Sequence, residues 1–277
     1  MNLLPGDRSG VQWTLLLPLL SRARISRRFG TLFHDPRAVQ IVELLSGPLP
    51  AVDDVKILYE DLGNAVRASN LDNEVKVFVK NHPKATIVNL GSGFDTAFSR
   101  NDNGQITWFD IDLPAVMEMR RLIIPETGRS RCIAASILDE SWMHEIGPNG
   151  NGLFMIAGGV VPYFTGREVK GLLVSLADHF PLAECAFDAV SLFGRFNANR
   201  KIKKAGISSA AIKWAAGRNA GFWKWDRRIV VLHHFPMFAN VKRSPEFDAR
   251  MIRIMDTCDK RWTMSIIRLG FEGSSNV

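Results

Sequence analysis

The sequence predicts an α/β fold in which a seven-stranded, mostly parallel sheet lies behind an N-terminal helical cap. Three observations support this prediction. The first 80 residues show helical patterning, five short apolar runs alternate with helical stretches over 84–190, and two further strand-like runs follow. Apolar strands that alternate with helices are typical of a parallel sheet that is covered on both faces.

Two helices are predicted in the first 80 residues. Asp35 suits a helix N-cap, Pro36 suits the first helical position, and Gly47 suits the stop. A second helix is expected over 54–80, with a break near Gly63. These helices form the expected cap over the sheet.

Five parallel strands and the helices between them are predicted from short apolar runs that are bounded by turn residues. The strands are expected at 86–90, 106–110, 131–135, 153–157 and 184–190. The connecting helices are expected at 114–124, 139–146 and 167–180. Because crossovers between parallel strands are right-handed, this order places helices on both faces of the sheet.

The pattern loosens after residue 190, where a basic helical stretch and the last two strands are expected. The helical stretches are predicted at 195–225 and 245–258, and the strands at 228–233 and 262–269. We predict that the 277 residues form one domain rather than two separable ones.

Charge is distributed unevenly along the chain, whose net charge is +7. Residues 195–277 carry 17 basic and six acidic side chains, whereas residues 31–194 carry 13 basic and 21 acidic ones. The basic residues are dispersed among apolar ones and form no aromatic-basic RNA motif, so a solvated basic face is favoured over a nucleic-acid site. An RNA substrate is the weaker alternative.

Cysteine usage and hydropathy favour a reducing, cytoplasmic setting. Cys132, Cys185 and Cys258 lie far apart in the sequence, so neither a disulfide framework nor a cysteine zinc site is expected. The apolar run at 15–20 is too short to span a bilayer, and the arginines after it do not resemble a secretory cleavage site. We therefore expect no membrane association.

The loop after the first predicted strand reads Gly91-Ser92-Gly93-Phe94-Asp95. In an α/β sheet, ligands bind beyond the carboxyl ends of the strands, and glycine lets a ligand approach the backbone closely. The loop lacks the third glycine of a dinucleotide-binding fingerprint, and Asp95 would repel a pyrophosphate. We therefore expect a nucleoside cofactor that has no phosphates.

Two acidic residues, Asp110 and Asp112, follow the second predicted strand. An acid at this point of a Rossmann-like sheet accepts hydrogen bonds from both ribose hydroxyls. The alternative is that one of the two carboxylates caps the helix that begins at Pro114, and the sequence supports both interpretations equally. With no phosphate site expected, S-adenosylmethionine is the natural ligand.

Four strings together resemble the leucine carboxyl methyltransferase family, which includes the TcmP-like O-methyltransferases of polyketide pathways. They are TIVNLGSGFDTAFSR, WFDIDLPAV, AASILD and LFMIAGGVVPYF, and the resemblance extends over residues 11–270. It implies a class I methyltransferase fold and S-adenosylmethionine-dependent methyl transfer to a carboxyl or hydroxyl group of a small molecule. It divides the chain into a helical cap at 1–80, a cofactor-binding core at 84–190, and a substrate-side insert with the last two strands at 191–277.

The resemblance also implies roles in cofactor binding. Arg67 would pair with the methionine carboxylate of the cofactor, and Asp112 would accept the ribose hydroxyls. Ser136 and Ile137 would flank the adenine, and the loop glycines would let the backbone approach the cofactor. The full implied set is Arg67, Gly91, Ser92, Gly93, Asp95, Asp112, Ser136, Ile137 and Gly158.

Two positions depart from the family pattern. Ala97 stands where many TcmP-like members have an arginine, and Gly158 stands where the family has an acid that faces the amino group or sulfonium of the cofactor. Loss of that acid should weaken cofactor affinity. The alternative function is therefore a cofactor-impaired, non-enzymatic family member that acts as a binding or scaffold protein.

No catalytic residue is predicted. A carboxylate acceptor needs no general base, and transfer of an activated methyl group depends mainly on proximity and orientation. A hydroxyl acceptor would benefit from a base, for which His233 and His234 are the candidates, and Tyr163 is expected either to line the substrate pocket or to pack. The histidine–acid pairs that begin at His34 and His144 lack metal-ligand spacing, so no metal is expected.

Overall fold

The computed structural model describes residues 11–46, 55–147, 150–204, 211–218 and 220–273. Three helices form the N-terminal cap: α1 (Val11–Arg28), α2 (Pro36–Ser46) and α3 (Val55–Asn81). The N-cap of α2 is as predicted, because Asp35 accepts a hydrogen bond from the Ala38 N–H at 3.0 Å. Helix α3 runs without a break through Gly63, and the predicted stop at Gly47 lies outside the described residues.

Seven strands form one sheet with the order β3-β2-β1-β4-β5-β7-β6. Strands β1 to β5 are parallel, and β7 lies antiparallel between β5 and β6. Their bounds are β1 (Thr86–Leu90), β2 (Thr107–Asp112), β3 (Ser130–Ala134), β4 (Leu153–Ala157), β5 (Glu184–Val190), β6 (Ile229–Pro236) and β7 (Met264–Phe271). The predicted seven-stranded, mostly parallel sheet is confirmed.

Within the described ranges, six more helices connect the strands. They are α4 (Ala97–Asn101), α5 (Pro114–Ile123), α6 (Ser141–Ile146), α7 (Gly166–His179), α8 (Leu192–Lys204) and α9 (Ala249–Lys260). Apolar cores lie on both faces of the sheet: α6 and α7 contribute Trp142 and Leu172 to one, and α3 and α9 contribute Leu62 and Met255 to the other. Both faces are therefore filled, and the carboxyl edge of the parallel strands is left for a ligand.

The direction of strand addition reverses between β1 and β4, which are direct neighbours in the sheet. In open α/β sheets the ligand crevice lies at such a reversal, beyond the carboxyl ends of the strands. The loops after β1, β2, β4 and β5 therefore meet at the expected binding edge.

The predicted helical stretch at 195–225 is correct up to Lys204, but it is wrong for the described residues from 211 onward. Residues 211–218 are irregular, and a short 3-10 turn covers Phe222–Lys224. The amides of Lys213 and Trp214 both donate hydrogen bonds to the Pro162 carbonyl, at 2.9 and 3.1 Å. These contacts, with the buried Trp214 side chain, fix the segment against the loop after β4, so tertiary contacts override the local helical preference.

The long helices of the described regions are too polar to lie in a lipid bilayer as spanning segments. Within those regions, none is both long and apolar enough to cross a membrane.

Candidate functional site

The loop after β1 makes a tight turn that requires glycine at two positions. Gly91 has φ +66° and Gly93 has φ +48°, both in the left-handed region. The amides of Gly91 and Ser92 donate to the Ile111 carbonyl at 2.8 and 3.1 Å, which ties the loop to the end of β2. The Ser92 hydroxyl is buried and has no hydrogen-bond partner in the described part of the chain. The turn is thus held by backbone hydrogen bonds, and the Ser92 hydroxyl is left for a ligand to bond.

Replacement of Gly91 by alanine is expected to destabilise the protein and to impair the loop. A left-handed conformation costs a residue with a Cβ about 1–2 kcal/mol, and a Cβ on Gly91 would lie 2.8 Å from Val160 Cγ2. Gly104 has φ +82° with no atom within 4 Å of its Cβ position, so Gly104→Ala isolates the backbone cost.

Urea unfolding of the two alanine variants measures the difference. Gly91→Ala should lose more stability than Gly104→Ala, and adding Val160→Ala should recover part of that excess. Equal losses in the two single variants would contradict the proposed contact between the loop and Val160.

Asp112 is the last residue of β2 and holds the glycine loop. Its Oδ2 accepts a hydrogen bond from the Gly93 N–H at 2.7 Å, and its Oδ1 accepts one from the Leu113 N–H at 2.8 Å. Burial raises the pKa of Asp112, and these two hydrogen bonds oppose the rise. Each carboxylate oxygen keeps a free lone pair for another donor.

Neither Asp110 nor Asp112 caps helix α5. The N-cap residue is Leu113, whose side chain makes no capping hydrogen bond. Asp110 is fully buried and pairs with Arg120, with 2.6 Å between Oδ2 and Nη2. Arg120 also donates to the Gly93 carbonyl at 2.8 Å, so Asp110 supports the loop from beneath. Capping is therefore excluded for both residues, and Asp112 remains the acid that faces the edge.

Asp95 lies beside two arginines. Arg22 Nη2 is 3.5 Å and Arg100 Nη1 is 3.1 Å from its Oδ1. Burial opposes the charge on Asp95, but the two guanidinium groups outweigh burial and hold its pKa well below its ordinary value. Because its charge is compensated, repulsion by Asp95 is a weaker reason to exclude phosphate than the sequence indicated.

Arg100 joins Asp95 to a buried cluster under the helical cap. Its Nη1 is 2.8 Å from Asp35 Oδ2, and its Nε is 2.7 Å from Asp72 Oδ2. Ala97, where many TcmP-like members have an arginine, is buried one helical turn before Arg100. Arg100 thus supplies a guanidinium group on the same face of α4.

Arg67 reaches from α3 to the loop after β4. Its Nη2 donates to Asn64 Oδ1 at 3.0 Å, and its Nη1 lies 3.7 Å from Asp188 Oδ2. A Cβ on Gly159, which has φ +75°, would lie 2.8 Å from the Arg67 guanidinium. The absence of a side chain at Gly159 therefore lets this guanidinium lie directly on the backbone.

Gly158 is also closely covered by α3. A Cβ at this position would lie 3.0 Å from Leu71 Cδ1 and 3.9 Å from Arg67 Nε. Leu71 therefore packs over the backbone that carries an acidic side chain in the family pattern. An acid here would require Leu71 to move and would point beside Arg67.

Asp188, which lies near the carboxyl end of β5, was not among the residues predicted from the sequence. Its side chain is buried, and its Oδ1 accepts a hydrogen bond from the Gly159 N–H at 2.5 Å. Tyr163 lies nearby: burial raises the pKa of its hydroxyl, Arg67 opposes this rise, and Asp188 adds to it. An aspartate among the apolar residues of the second half of a strand was the available signal.

Ser136 and Ile137 follow β3, beside the end of β2. Ser136 Oγ accepts a hydrogen bond from the Leu138 N–H at 3.3 Å. Ile137 is buried, and its carbonyl lies 3.4 Å from the Trp142 Nε1 donor. Both residues are at the carboxyl edge of the sheet, next in order to Asp112.

The two adjacent histidines lie on β6, the edge strand farthest from β2 and β3. His233 Nδ1 is 3.4 Å from Glu74 Oε1, and His234 Nε2 is 3.1 Å from Ser265 Oγ. Burial lowers the pKa of His234. Their distance from the glycine loop, by strand order, does not support a general-base role.

The described part of the chain contains no cluster of acidic, cysteine and histidine side chains that resembles a metal site. In those ranges, no group of three or more such residues is placed to hold a metal ion.

The sequence model of the leucine carboxyl methyltransferase family matches residues 19–177. The chain is 29% identical over 187 residues to the tetracenomycin polyketide synthesis O-methyltransferase TcmP of Streptomyces glaucescens, covering 66% of this chain and 67% of that protein. It is 27% identical over 214 residues to the S-adenosyl-L-methionine-dependent methyltransferase dpfgK of Gibberella zeae, covering 71% of this chain and 72% of that protein.

Solved structures share the fold at low sequence identity. A DUF574 family protein from Streptomyces avermitilis superposes with a TM-score of 0.57 at 9% identity, covering 91% of this chain and 97% of that one. Magnesium protoporphyrin IX methyltransferase from Synechocystis, solved with bound S-adenosylhomocysteine, superposes with a TM-score of 0.50 at 10% identity, covering 90% and 98%. These similarities show the class I methyltransferase fold.

Proposed function

We propose that this chain, which belongs to the leucine carboxyl methyltransferase family, methylates an oxygen atom of a small molecule. The protein is an S-adenosylmethionine-dependent methyltransferase, as its family membership and relatives establish. The name of the Streptomyces relative, an O-methyltransferase of polyketide synthesis, supports oxygen as the acceptor atom. The observation that carries the proposed site is the convergence of Arg67, the glycine loop and Asp112 at one edge of the sheet.

The residues at this edge fit the chemical groups of S-adenosylmethionine. The cofactor has a carboxylate, for which Arg67 is a cation, and two ribose hydroxyls, for which Asp112 has free acceptor lone pairs. The buried Ser92 hydroxyl has no partner among the described residues, which is typical of a group that bonds a ligand. Because each group has a complement, the edge is suited to this cofactor.

We assign the remaining predicted residues to positions around the same cofactor. Gly91, Ser92 and Gly93 would present backbone to it, and Ser136 with Ile137 would flank the adenine. Asp95 would act through the loop, because its carboxylate is occupied by arginines. Gly158 would leave room for Leu71 rather than contact the cofactor through a side chain.

Bound S-adenosylmethionine supplies a methyl group that its sulfonium already activates. The chain then has to hold the acceptor oxygen in line and exclude water, because proximity and orientation provide much of the acceleration. Tyr163, which is 42% exposed beside Arg67 and Asp188, is placed to orient an acceptor. A carboxylate acceptor would need no proton transfer from the protein.

Helix α8 presents an apolar surface for the acceptor. It begins directly after β5, and its side chains Leu192 and Phe196 are exposed and lie one turn apart on the same face. Exposed apolar residues next to the carboxyl edge favour an acceptor that has an apolar, ring-bearing body. This agrees with a carboxyl or hydroxyl group carried by a small organic acid or phenol.

The test separates the acceptor classes by the stability of the product. The protein is incubated with methyl-labelled S-adenosylmethionine and panels of aromatic carboxylic acids and phenols. A labelled ester that releases methanol in dilute base shows a carboxyl acceptor, and a base-stable product whose methyl group has the NMR shift of an O-methyl group shows an ether. Transfer only to nitrogen or carbon would overturn the proposal.

The scaffold alternative rests on Gly158 and predicts a different result. It requires that the chain bind neither S-adenosylmethionine nor S-adenosylhomocysteine in calorimetric titration. Micromolar binding together with turnover on any acceptor would exclude it. Absence of binding would instead overturn the proposed methyl transfer to an oxygen atom of a small molecule.

A further inference from the structure

Two opposite charges meet at the carboxyl edge, between the helical cap and β5. Arg67 comes from α3 and Asp188 from β5, with 3.7 Å between Nη1 and Oδ2. The separation is longer than a hydrogen bond, so the two groups are near without being joined. Among the described residues, Asp188 is the carboxylate partner of Arg67.

Each member of this pair is held by another contact and keeps a free atom. Arg67 Nη2 is bonded to Asn64, and Asp188 Oδ1 is bonded to the Gly159 amide. Arg67 Nη1 and Asp188 Oδ2 make no hydrogen bond within the described ranges. The two side chains are therefore held by Asn64 and the Gly159 amide, and the atoms with which they face each other are available to a ligand.

We propose that Asp188 binds the ammonium group at the amino-acid end of the cofactor, beside the carboxylate that Arg67 is expected to bind. This inference rests on the proposed cofactor site. It makes Asp188 a binding residue and gives the site a means of selecting a zwitterion.

Charge balance supports this assignment. A buried carboxylate must keep a cation or strong donors nearby, and Arg67 now provides that cation for Asp188. If Arg67 turned to the ligand carboxylate alone, Asp188 would lose part of this compensation. An ammonium group on the same ligand restores it, so a neutral pair accepts a neutral zwitterion.

The local backbone explains why the acid comes from β5. Leu71 packs over Gly158, so the loop after β4 has no side chain there to contact an ammonium group. Asp188 reaches the same loop from the next strand and bonds the adjacent Gly159 amide. The departure at Gly158 is thus compatible with cofactor binding in this chain.

Calorimetry with two ligands tests the inference. S-adenosylhomocysteine carries the amino-acid end, whereas 5′-methylthioadenosine keeps the adenosine and lacks that end. Asp188→Asn keeps an oxygen for the Gly159 amide and removes only the charge. We expect this variant to weaken the affinity for S-adenosylhomocysteine about 10- to 100-fold, which is the range of one charge-assisted hydrogen bond. The affinity for 5′-methylthioadenosine should change by no more than about twofold.

A ligand without the amino group provides the second measurement. Deamination of S-adenosylhomocysteine should weaken wild-type binding, and Asp188→Asn should weaken binding of the deaminated ligand no further. Glu118→Gln, which neutralises an exposed acid on α5, is the matched control and should leave the affinity for both ligands unchanged.

Each contrary outcome has one meaning. Unchanged S-adenosylhomocysteine binding in Asp188→Asn would overturn the inference and leave the proposed function intact. An equal loss of affinity for both ligands would mean that Asp188 serves only to stabilise the fold, and this result would also overturn the inference. Absence of wild-type binding to both ligands would overturn the proposed function itself.

Discussion

Replacement of Arg100 by methionine is expected to lower the free energy of unfolding by about 3–5 kcal/mol at pH 7, as for other broken buried ion pairs. Arg100 contacts three carboxylates, those of Asp35, Asp72 and Asp95. Methionine fills similar space without charge, so Arg22 would be left as the cation that contacts Asp35 and Asp95. Urea unfolding followed by circular dichroism measures the loss.

The pH dependence of this loss has a definite sign. In the wild type, burial opposes the charge on Asp95, but Arg22 and Arg100 hold its pKa below the ordinary value of 3.8. Stability from this group is present above that ordinary value and is lost as the pH falls below it. Without Arg100, the pKa of Asp95 rises in the folded state, so the stability deficit of the variant should narrow as the pH falls toward and below that ordinary value.

A surface arginine provides the control. Arg129 contacts both carboxylate oxygens of Asp102 at the protein surface, so it resembles Arg100 in geometry and differs in burial. Arg129→Met is expected to lose much less stability, because solvent and salt screen such a pair. Equal losses in the two variants, or a deficit that widens on acidification, would contradict the buried-cluster explanation.

The strands were predictable because buried parallel strands are nearly continuous apolar runs between turn residues. Strands β1, β4 and β5 have the predicted bounds, and the other four differ by up to three residues at an end. The glycine loop and Asp112 were predictable for the same reason, since they follow strands directly. Sequence therefore locates the strands and the loops at the carboxyl edge of this sheet well.

Contacts between distant segments were not predictable from one sequence. Arg100 is 65 positions from Asp35, and the cluster exists only because α4 packs under the helical cap. The pair of Arg67 and Asp188 likewise joins a cap helix to the fifth strand. No local pattern specifies which arginine meets which carboxylate, so electrostatic arguments from sequence, such as repulsion of phosphate by Asp95, omit the compensating partner.

The choice between ribose binding and helix capping for Asp112 also needed the structure. Both roles call for an acid before a helix, and the sequence pattern is the same for each. The distinction lies in the backbone: Leu113 occupies the N-cap, and Asp112 turns to Gly93 instead. Its remaining lone pairs then face the edge where the cofactor is proposed.

Asp112→Asn is expected to raise the dissociation constant of S-adenosylhomocysteine about 10- to 100-fold, because the loss of one hydrogen bond to a charged acceptor costs about 1.5–3 kcal/mol. Asparagine keeps one oxygen for the Gly93 amide and loses the acceptor of the exposed Leu113 amide, so the loop should hold while the thermal midpoint falls slightly. A 2′,3′-dideoxy analogue should bind wild type and variant equally. Glu118→Ala, on the exposed face of α5, should bind like the wild type.

Acidification should reproduce this loss in the wild type. Burial raises the pKa of Asp112, so its carboxylate is protonated at a higher pH than that of an exposed aspartate. Affinity for S-adenosylhomocysteine should therefore fall as the pH is lowered from 7 toward 4, and Asp112→Asn should show a flatter profile. Matching profiles in the two proteins would mean that the ribose is bound elsewhere, and Asp112 would then serve only to hold the glycine loop.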